Sequence, residues 1–180
     1  MGLASMKRAA MTFVKEKFPN IPILGAEVGV LHGEHALNIL ENIPNIKLLY
    51  LIDPYELYDE YDEDDAWLIE KARNIAIKKL APFESRIRWV LKKFEECTIK
   101  EIEPLDFIYI DANHAYEYVK KDIALAIQFV KKGGVIGGHD VGALGVARAI
   151  KEYSEEKNIS FTAVGNQGEG WDWWFINAVS

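Results

Sequence analysis

Apolar runs of five to seven residues recur along this chain, at Leu24 to Val30, Lys47 to Asp53, Ile87 to Leu91, Leu105 to Asp111 and Val135 to His139, with helical patterns between them. That alternation predicts an α/β fold, with helices on both faces of a largely parallel sheet. The runs are apolar on both alternate faces, as strands covered on two sides must be. The helical rhythm is carried by Ile69, Ala72, Ala76 and Leu80, by Val119, Ile123, Ile127 and Val130, and by Ala143, Val146, Ala147 and Ile150. A lead-in helix is expected from Ala4 to Phe18, within residues 1–20. Ser160 to Val164 and Trp171 to Val179 flank a loop too short for a crossover helix, so they should pair antiparallel. Along the last run Trp174 should point opposite to Trp171 and Trp173, with core packing expected for at least two of the three.

At 180 residues and 49% apolar content, one domain spanning 1–180 with a sizeable core is expected. The pI near 5.2 and the lack of any basic run longer than two residues argue against nucleic acid as partner. No apolar run approaches a membrane span, and the N-terminus shows no signal-peptide stretch, so neither membrane nor secretion is expected, and the reading is cytoplasmic. The single cysteine, Cys97, cannot form an internal disulfide. The net charge of −7 is concentrated: Glu56 to Asp65 holds seven carboxylates and no base, and the 21 acids elsewhere equal the 21 bases.

In open α/β sheets, ligands bind beyond the carboxyl ends of the strands. Here those ends are polar: Glu27 to Glu34 after the first strand, Asp53-Pro54-Tyr55 after the second, Asp111 to His114 after the fourth and His139-Asp140 after the fifth. Gly29 and Gly33 bracket a turn into the helix of Ala36, Leu37 and Leu40, which is either a tight connection or a cradle for a ligand. Asp53 stands near the spacing at which a carboxylate reaches two ribose hydroxyls, or it caps the turn before Pro54. A nicotinamide-dependent oxidoreductase would want three glycines as GxGxxG, and this loop offers two.

The segments AEVGVLHGEHA, YLIDPY, LDFIYIDANHAYEYVKKD and KKGGVIGGHD together resemble the class I S-adenosylmethionine-dependent methyltransferases, in particular the small group with D-x-x-H-x-Y and G-G-x-x-x-x-H-D motifs. The resemblance spans roughly residues 22 to 180. It implies a Rossmann-like three-layer αβα sandwich whose seven-stranded sheet runs 3-2-1-4-5-7-6, with the last strand antiparallel. It implies Glu27, Gly29, Gly33, Asp53 and Asp111 as cofactor-binding residues, Glu27 and the glycines around the methionine part and Asp53 at the ribose. The stretch after strand three, Leu91 to Phe94, departs from the usual pattern, and no adenine contact is assigned there.

In related catechol-type O-methyltransferases a magnesium ion sits at an Asp after strand four and an Asp-Asn pair after strand five. The resemblance therefore offers Asp111, His139 and Asp140 as ligands for Mg or Mn, although the imidazole equally suits a cation-free acid/base site. His114 is the first candidate for general base, with helix capping as its alternative, and Asp111 and His139 complete the catalytic set. His32 and His35 are expected to be exposed or capping. The implied activity is O-methylation of a small hydroxylated metabolite, whose binding walls come from nearby loops, the N-terminal helix or a second subunit of a homo-oligomer. A non-catalytic binding module on the same fold is the alternative of a different class. The acidic stretch fails as a calcium loop, because Trp67 falls where the sharp-turn glycine belongs counting from Asp62. It is expected to be either a solvated run that caps the next helix or an acidic lid on the site's rim.

Overall fold

A computed structural model of the chain describes residues 8–56, 66–166 and 170–178. In chain order these form α1 (Ala9–Lys17), β1 (Ile23–Val28), α2 (Glu34–Asn42), β2 (Ile46–Ile52), α3 (Ala66–Leu80), β3 (Ile87–Val90), β4 (Leu105–Ile110), α4 (Tyr116–Phe129), β5 (Val130–Gly138), α5 (Leu144–Lys157), β6 (Thr162–Asn166) and β7 (Gly170–Ile176). The sheet order is β3-β2-β1-β4-β5-β7-β6, parallel except that β7 runs against both neighbours. The expected αβα sandwich and strand order are thus the observed ones. The acidic stretch beyond Glu56, and with it the lid and capping readings, lies outside the described residues. So do residues 4–7 of the expected lead-in helix.

Two rows of side chains define the layers. On one face Leu51, Tyr109 and Val135 pack with Met11 and Val14 of α1, Ile39 and Leu40 of α2, and Leu80 of α3. On the other, Val28, Ile52, Ile110 and Trp173 pack with Val119 and Ile123 of α4 and Val146 and Ile150 of α5. Trp173 is buried in this second layer, Trp174 stacks on Phe13 in the first, and Trp171 is exposed. Cys97 is also buried, which pushes its thiol up to about 11 and leaves it a poor nucleophile.

Two expectations are corrected. Val130, read as the last member of a helical stripe, follows the end of α4 and opens β5, pairing with Leu105. Val130 itself is extended (φ −90°, ψ 128°), so helix passes directly into strand, and the register shift between Leu105 and Phe107 and the positive φ of Gly133 (82°) follow within the β4–β5 pair. The strands also end earlier than the apolar runs suggest. Asp53, Asp111 and His139 each donate one last ladder hydrogen bond, to Val90, Val28 and Ile110 respectively, before the backbone leaves the sheet. Their side chains are therefore released at the carboxyl edge.

Candidate active site

The strand ends converge on a cleft of about 360 Å³ lined by Glu27, Gly29, Asp53 and Asp111, with Arg8, His35 and His114 around them. Its geometry begins with Gly29. With φ of 85° and a would-be Cβ only 2.1 Å from the Asp111 carbonyl oxygen, this position excludes any side chain. The β1 and β4 exits can therefore lie against each other. Gly33, by contrast, is outside the cleft lining. It opens α2 at φ of 72°, against Ala76 and Leu80 of α3.

Glu27 is 1% exposed. Its Oε1 meets His35 Nδ1 at 3.0 Å, whereas Oε2 and the far His35 nitrogen, Nε2, have no partner among the described residues. Burial raises the Glu27 carboxyl above its ordinary range against the opposing pull of His35, and Asp111 and Asp53 push it the same way as burial. His35, expected at the surface or in a cap, instead lies in a tilted contact with Tyr109, ring centres 4.2 Å apart. Three carboxylates around one cleft make a place for positive charge.

Asp53 is already engaged by its own loops. Its Oδ2 accepts from the N–H groups of Val30 (2.8 Å) and Leu31 (3.0 Å), and its Oδ1 accepts from Tyr55 N–H (2.8 Å). A carboxylate offers about four lone-pair sites, so one remains for a ligand hydroxyl in this arrangement. The Tyr55 hydroxyl donates to the Leu31 carbonyl at 2.9 Å, tying the loops after β1 and β2 together across the rim.

At the other end, Asp111, His114, His139 and Asp140 form one cluster. Asp140 Oδ2 lies 2.9 Å from His139 Nδ1 and 3.0 Å from His114 Nε2, and Asp111 Oδ1 lies 3.7 and 3.8 Å from the same two nitrogens. Asp140 adopts the left-handed backbone region (φ 57°), which turns its carboxylate back over the sheet edge. Burial by itself would raise the Asp111 carboxyl, but its neighbours His114, His139, His35 and Arg8 bring it below the usual carboxylate range. Asp111, His139 and Asp140 each offer a ligand atom within 4.8 Å of the others, the spacing a cation site requires.

Capping does not explain His114, because α4 begins without a side-chain cap and Asn113 Oδ1 instead accepts from Ala115 N–H at 2.7 Å. Tyr116, the last member of D-x-x-H-x-Y, faces away from the cluster. Its hydroxyl donates to Glu152 at 2.5 Å and Arg148 lies over its ring, docking the loop on α5.

A smaller cleft of about 140 Å³ adjoins the first, sharing Gly29 and Ala112 with it. Val28, Ile52 and Phe94 supply apolar walls, and Asn113 and Asp122 supply polar groups. Burial pushes the Asp122 carboxyl up to about 7 from an ordinary 3.8, against a weaker pull from Lys121. A carboxyl that holds its proton longer in the folded state than in the unfolded one costs stability as pH rises between those values. Asp122→Asn should therefore match the wild type below about pH 4 and gain up to about 4 kcal/mol over it at pH 8. Chemical denaturation at both pH values reads the difference, and an unchanged gap would contradict the burial.

A family described as a methyltransferase domain matches residues 26–141, from the strand that carries Glu27 to just beyond Asp140. The chain belongs to this methyltransferase family. No curated protein matches it. Among solved structures, cofactor-bound Rv0187 from MTB is similar at a TM-score of 0.69 and 17% identity, over 98% of this chain and 83% of that one. An O-methyltransferase from Bacillus cereus in complex with SAH gives 0.68 and 18%, over 97% and 84%. The O-methyltransferase TomG from Streptomyces achromogenes, involved in tomaymycin synthesis and in complex with SAM, gives 0.67 and 14%, over 97% and 82%. At such identities the likeness is one of fold. The methyltransferase family uses S-adenosylmethionine, and the acid-lined cleft at the carboxyl edge is suited to that cationic cofactor. Among the described residues, no helix is long and apolar enough to cross a membrane.

Arg8, His35 and Asp122 were missing from the sequence-derived site. His35 stands in the first turn of a helix, and only its position eight residues after Glu27 hints at a pairing. For Arg8, 103 residues from Asp111, no local signal exists.

Proposed function

We propose that this methyltransferase acts on a hydroxyl oxygen of a small metabolite, with the methionine half of the cofactor in the larger cleft and its adenine in the smaller one. The observation that carries the reading is the joining of an acid-lined cleft, at Glu27, Asp53 and Asp111, to the His114–His139–Asp140 cluster at its mouth. Glu27, with one buried oxygen unpartnered, suits the cofactor's ammonium group, and Asp53 has one lone pair left for a ribose hydroxyl. Asn113 and Asp122 suit the polar edge of a flat base held between Val28, Ile52 and Phe94.

S-adenosylmethionine supplies an electrophilic methyl group, and the protein's task is to align and deprotonate the acceptor. An Nε2–H donated by His114 to Asp140 leaves His114 Nδ1 as the basic atom, and Asp140 holds the imidazole in that orientation. Asp111, His139 and Asp140 would also hold a divalent cation, which would lower the pKa of a bound hydroxyl. Two carboxylates favour Mg or Mn, and the imidazole shifts the preference toward Mn.

Calorimetry with S-adenosylhomocysteine, followed by transfer of labelled methyl from S-adenosylmethionine to a panel of phenols, sugars and aliphatic alcohols, tests the reading. Binding together with labelled ether products is the expected result. Binding without transfer to any hydroxyl acceptor would overturn the O-methyl assignment, and absence of binding would overturn the cofactor placement.

A further inference from the structure

Arg8 stands one residue ahead of α1, yet its guanidinium reaches the catalytic cluster. Nη1 contacts His139 Nε2, and Nη2 lies 4.0 Å from Asp111 Oδ2. The start of α1 is held in place for this by Asp172, a buried carboxylate of β7. Its Oδ2 accepts from Ala10 N–H at 2.9 Å and its Oδ1 accepts from the Tyr109 hydroxyl at 2.8 Å. An anion at a helix N-terminus is favourably placed. Asp172 thereby sets the position from which Arg8 enters the site.

The chemistry of this contact is restrictive. A guanidinium has only donors, so the nitrogen it meets must present a lone pair. With Nε2 of His139 accepting from Arg8, the proton of the neutral ring lies on Nδ1, where it is donated to Asp140 Oδ2 at 2.9 Å. Nδ1 is also the His139 nitrogen that faces Asp111 and Asp140. A nitrogen that carries a proton has no lone pair for a cation. For Nδ1 to become a ligand the proton must move to Nε2, and Nε2–H cannot face a guanidinium.

We infer that Arg8 and a divalent cation are alternative occupants of the Asp111–His139–Asp140 cluster, with Arg8 as a built-in counter-charge that must withdraw before a cation binds. The inference rests on the cation reading of this cluster. It concerns Arg8 as a positioning residue that decides which tautomer His139 presents. The electrostatic sense is the same: a positive group about 4 Å from a ligand oxygen opposes entry of a second positive charge.

The test uses the full chain and Mn²⁺ alone, followed by the loss of free-ion signal in electron paramagnetic resonance. Arg8→Gln should bind Mn²⁺ about tenfold more tightly than the wild type, or more. Adding Asp140→Ala to Arg8→Gln should abolish that gain, which separates the cluster from the acidic residues at Glu56 to Asp65. The ¹⁵N shifts of the His139 ring supply a readout that removal of charge alone would not move: protonated Nδ1 in metal-free wild type, and a weaker preference for it in Arg8→Gln, where only Asp140 still holds that proton. Equal, Asp140-dependent binding by wild type and Arg8→Gln would overturn the inference and leave the cation reading standing. Absence of any Asp140-dependent Mn²⁺ site in either protein would overturn both. A His139 ring protonated at Nε2 in the wild type would overturn the Arg8 contact itself.

Discussion

His114→Ala should lower methyl-transfer turnover by about 10² to 10³ while leaving the cofactor dissociation constant within about twofold of wild type. The asymmetry follows from position. His114 lies at the mouth of the cleft, half exposed, with Nε2 on Asp140 and no part in capping α4. Losing it removes the proposed proton acceptor but none of the groups around the cofactor's methionine end. Stopped-flow turnover together with calorimetric affinity makes the comparison. Raising the pH far enough to ionise a phenolic acceptor should restore part of the lost rate, because the acceptor then arrives deprotonated. A variant whose affinity collapsed while turnover at saturation held would place His114 in cofactor binding instead. Asp140→Asn should reproduce part of the loss, because the amide orients the imidazole less well than the carboxylate does.

Glu27→Gln should weaken cofactor affinity by about a hundredfold yet leave the free protein as stable as wild type or more so. Glu27 is buried beside His35 with one oxygen unpartnered, and burial holds its carboxyl above the ordinary 4.5. Because the folded value exceeds the unfolded one, Glu27 costs stability as pH rises through that elevated range, and an uncharged glutamine escapes the cost. A glutamine oxygen still accepts from His35, so the local packing survives. The cofactor's ammonium group would lose the anionic partner proposed for it. Wild-type affinity should accordingly fall as pH is lowered and Glu27 takes up its proton, and the variant should lack that part of the pH dependence. Titration calorimetry at two pH values, paired with denaturant melts, separates the two effects. An unchanged affinity would detach Glu27 from the cofactor.

These residues differ in how far local sequence betrays them. Glu27, Asp53, Asp111, His139 and Asp140 stand at the ends of apolar runs, and a parallel sheet gathers such ends along one edge, so reading the runs locates the candidate site. The same logic misplaced most strand boundaries by one to three residues and the start of β5 by five, and it assigned Val130 to a helix although its backbone is already extended and opens β5. Apolar character marks burial, and burial alone does not separate the last turn of a helix from the first residue of a strand. Gly33 shows a related limit. A glycine at positive φ reads alike whether it faces a ligand or, as here, the neighbouring helix α3.

What alternation and strand-end chemistry determine is the layer architecture, the edge on which the candidate site lies and most of the acids there, because these depend on periods and positions within a single element. Three-dimensional packing alone settles which groups meet. His35 turns inward onto Glu27 of β1 and the ring of Tyr109 on β4, the strand paired with it. Asp53 spends most of its hydrogen-bonding capacity on the loops after β1 and β2, which its position in the chain cannot reveal. Arg8 reaches His139 because Asp172, 162 residues after Ala10, holds the start of α1. Contacts between residues more than a hundred positions apart leave no periodic trace in the chain, so their energies act only once the sheet has brought the partners together.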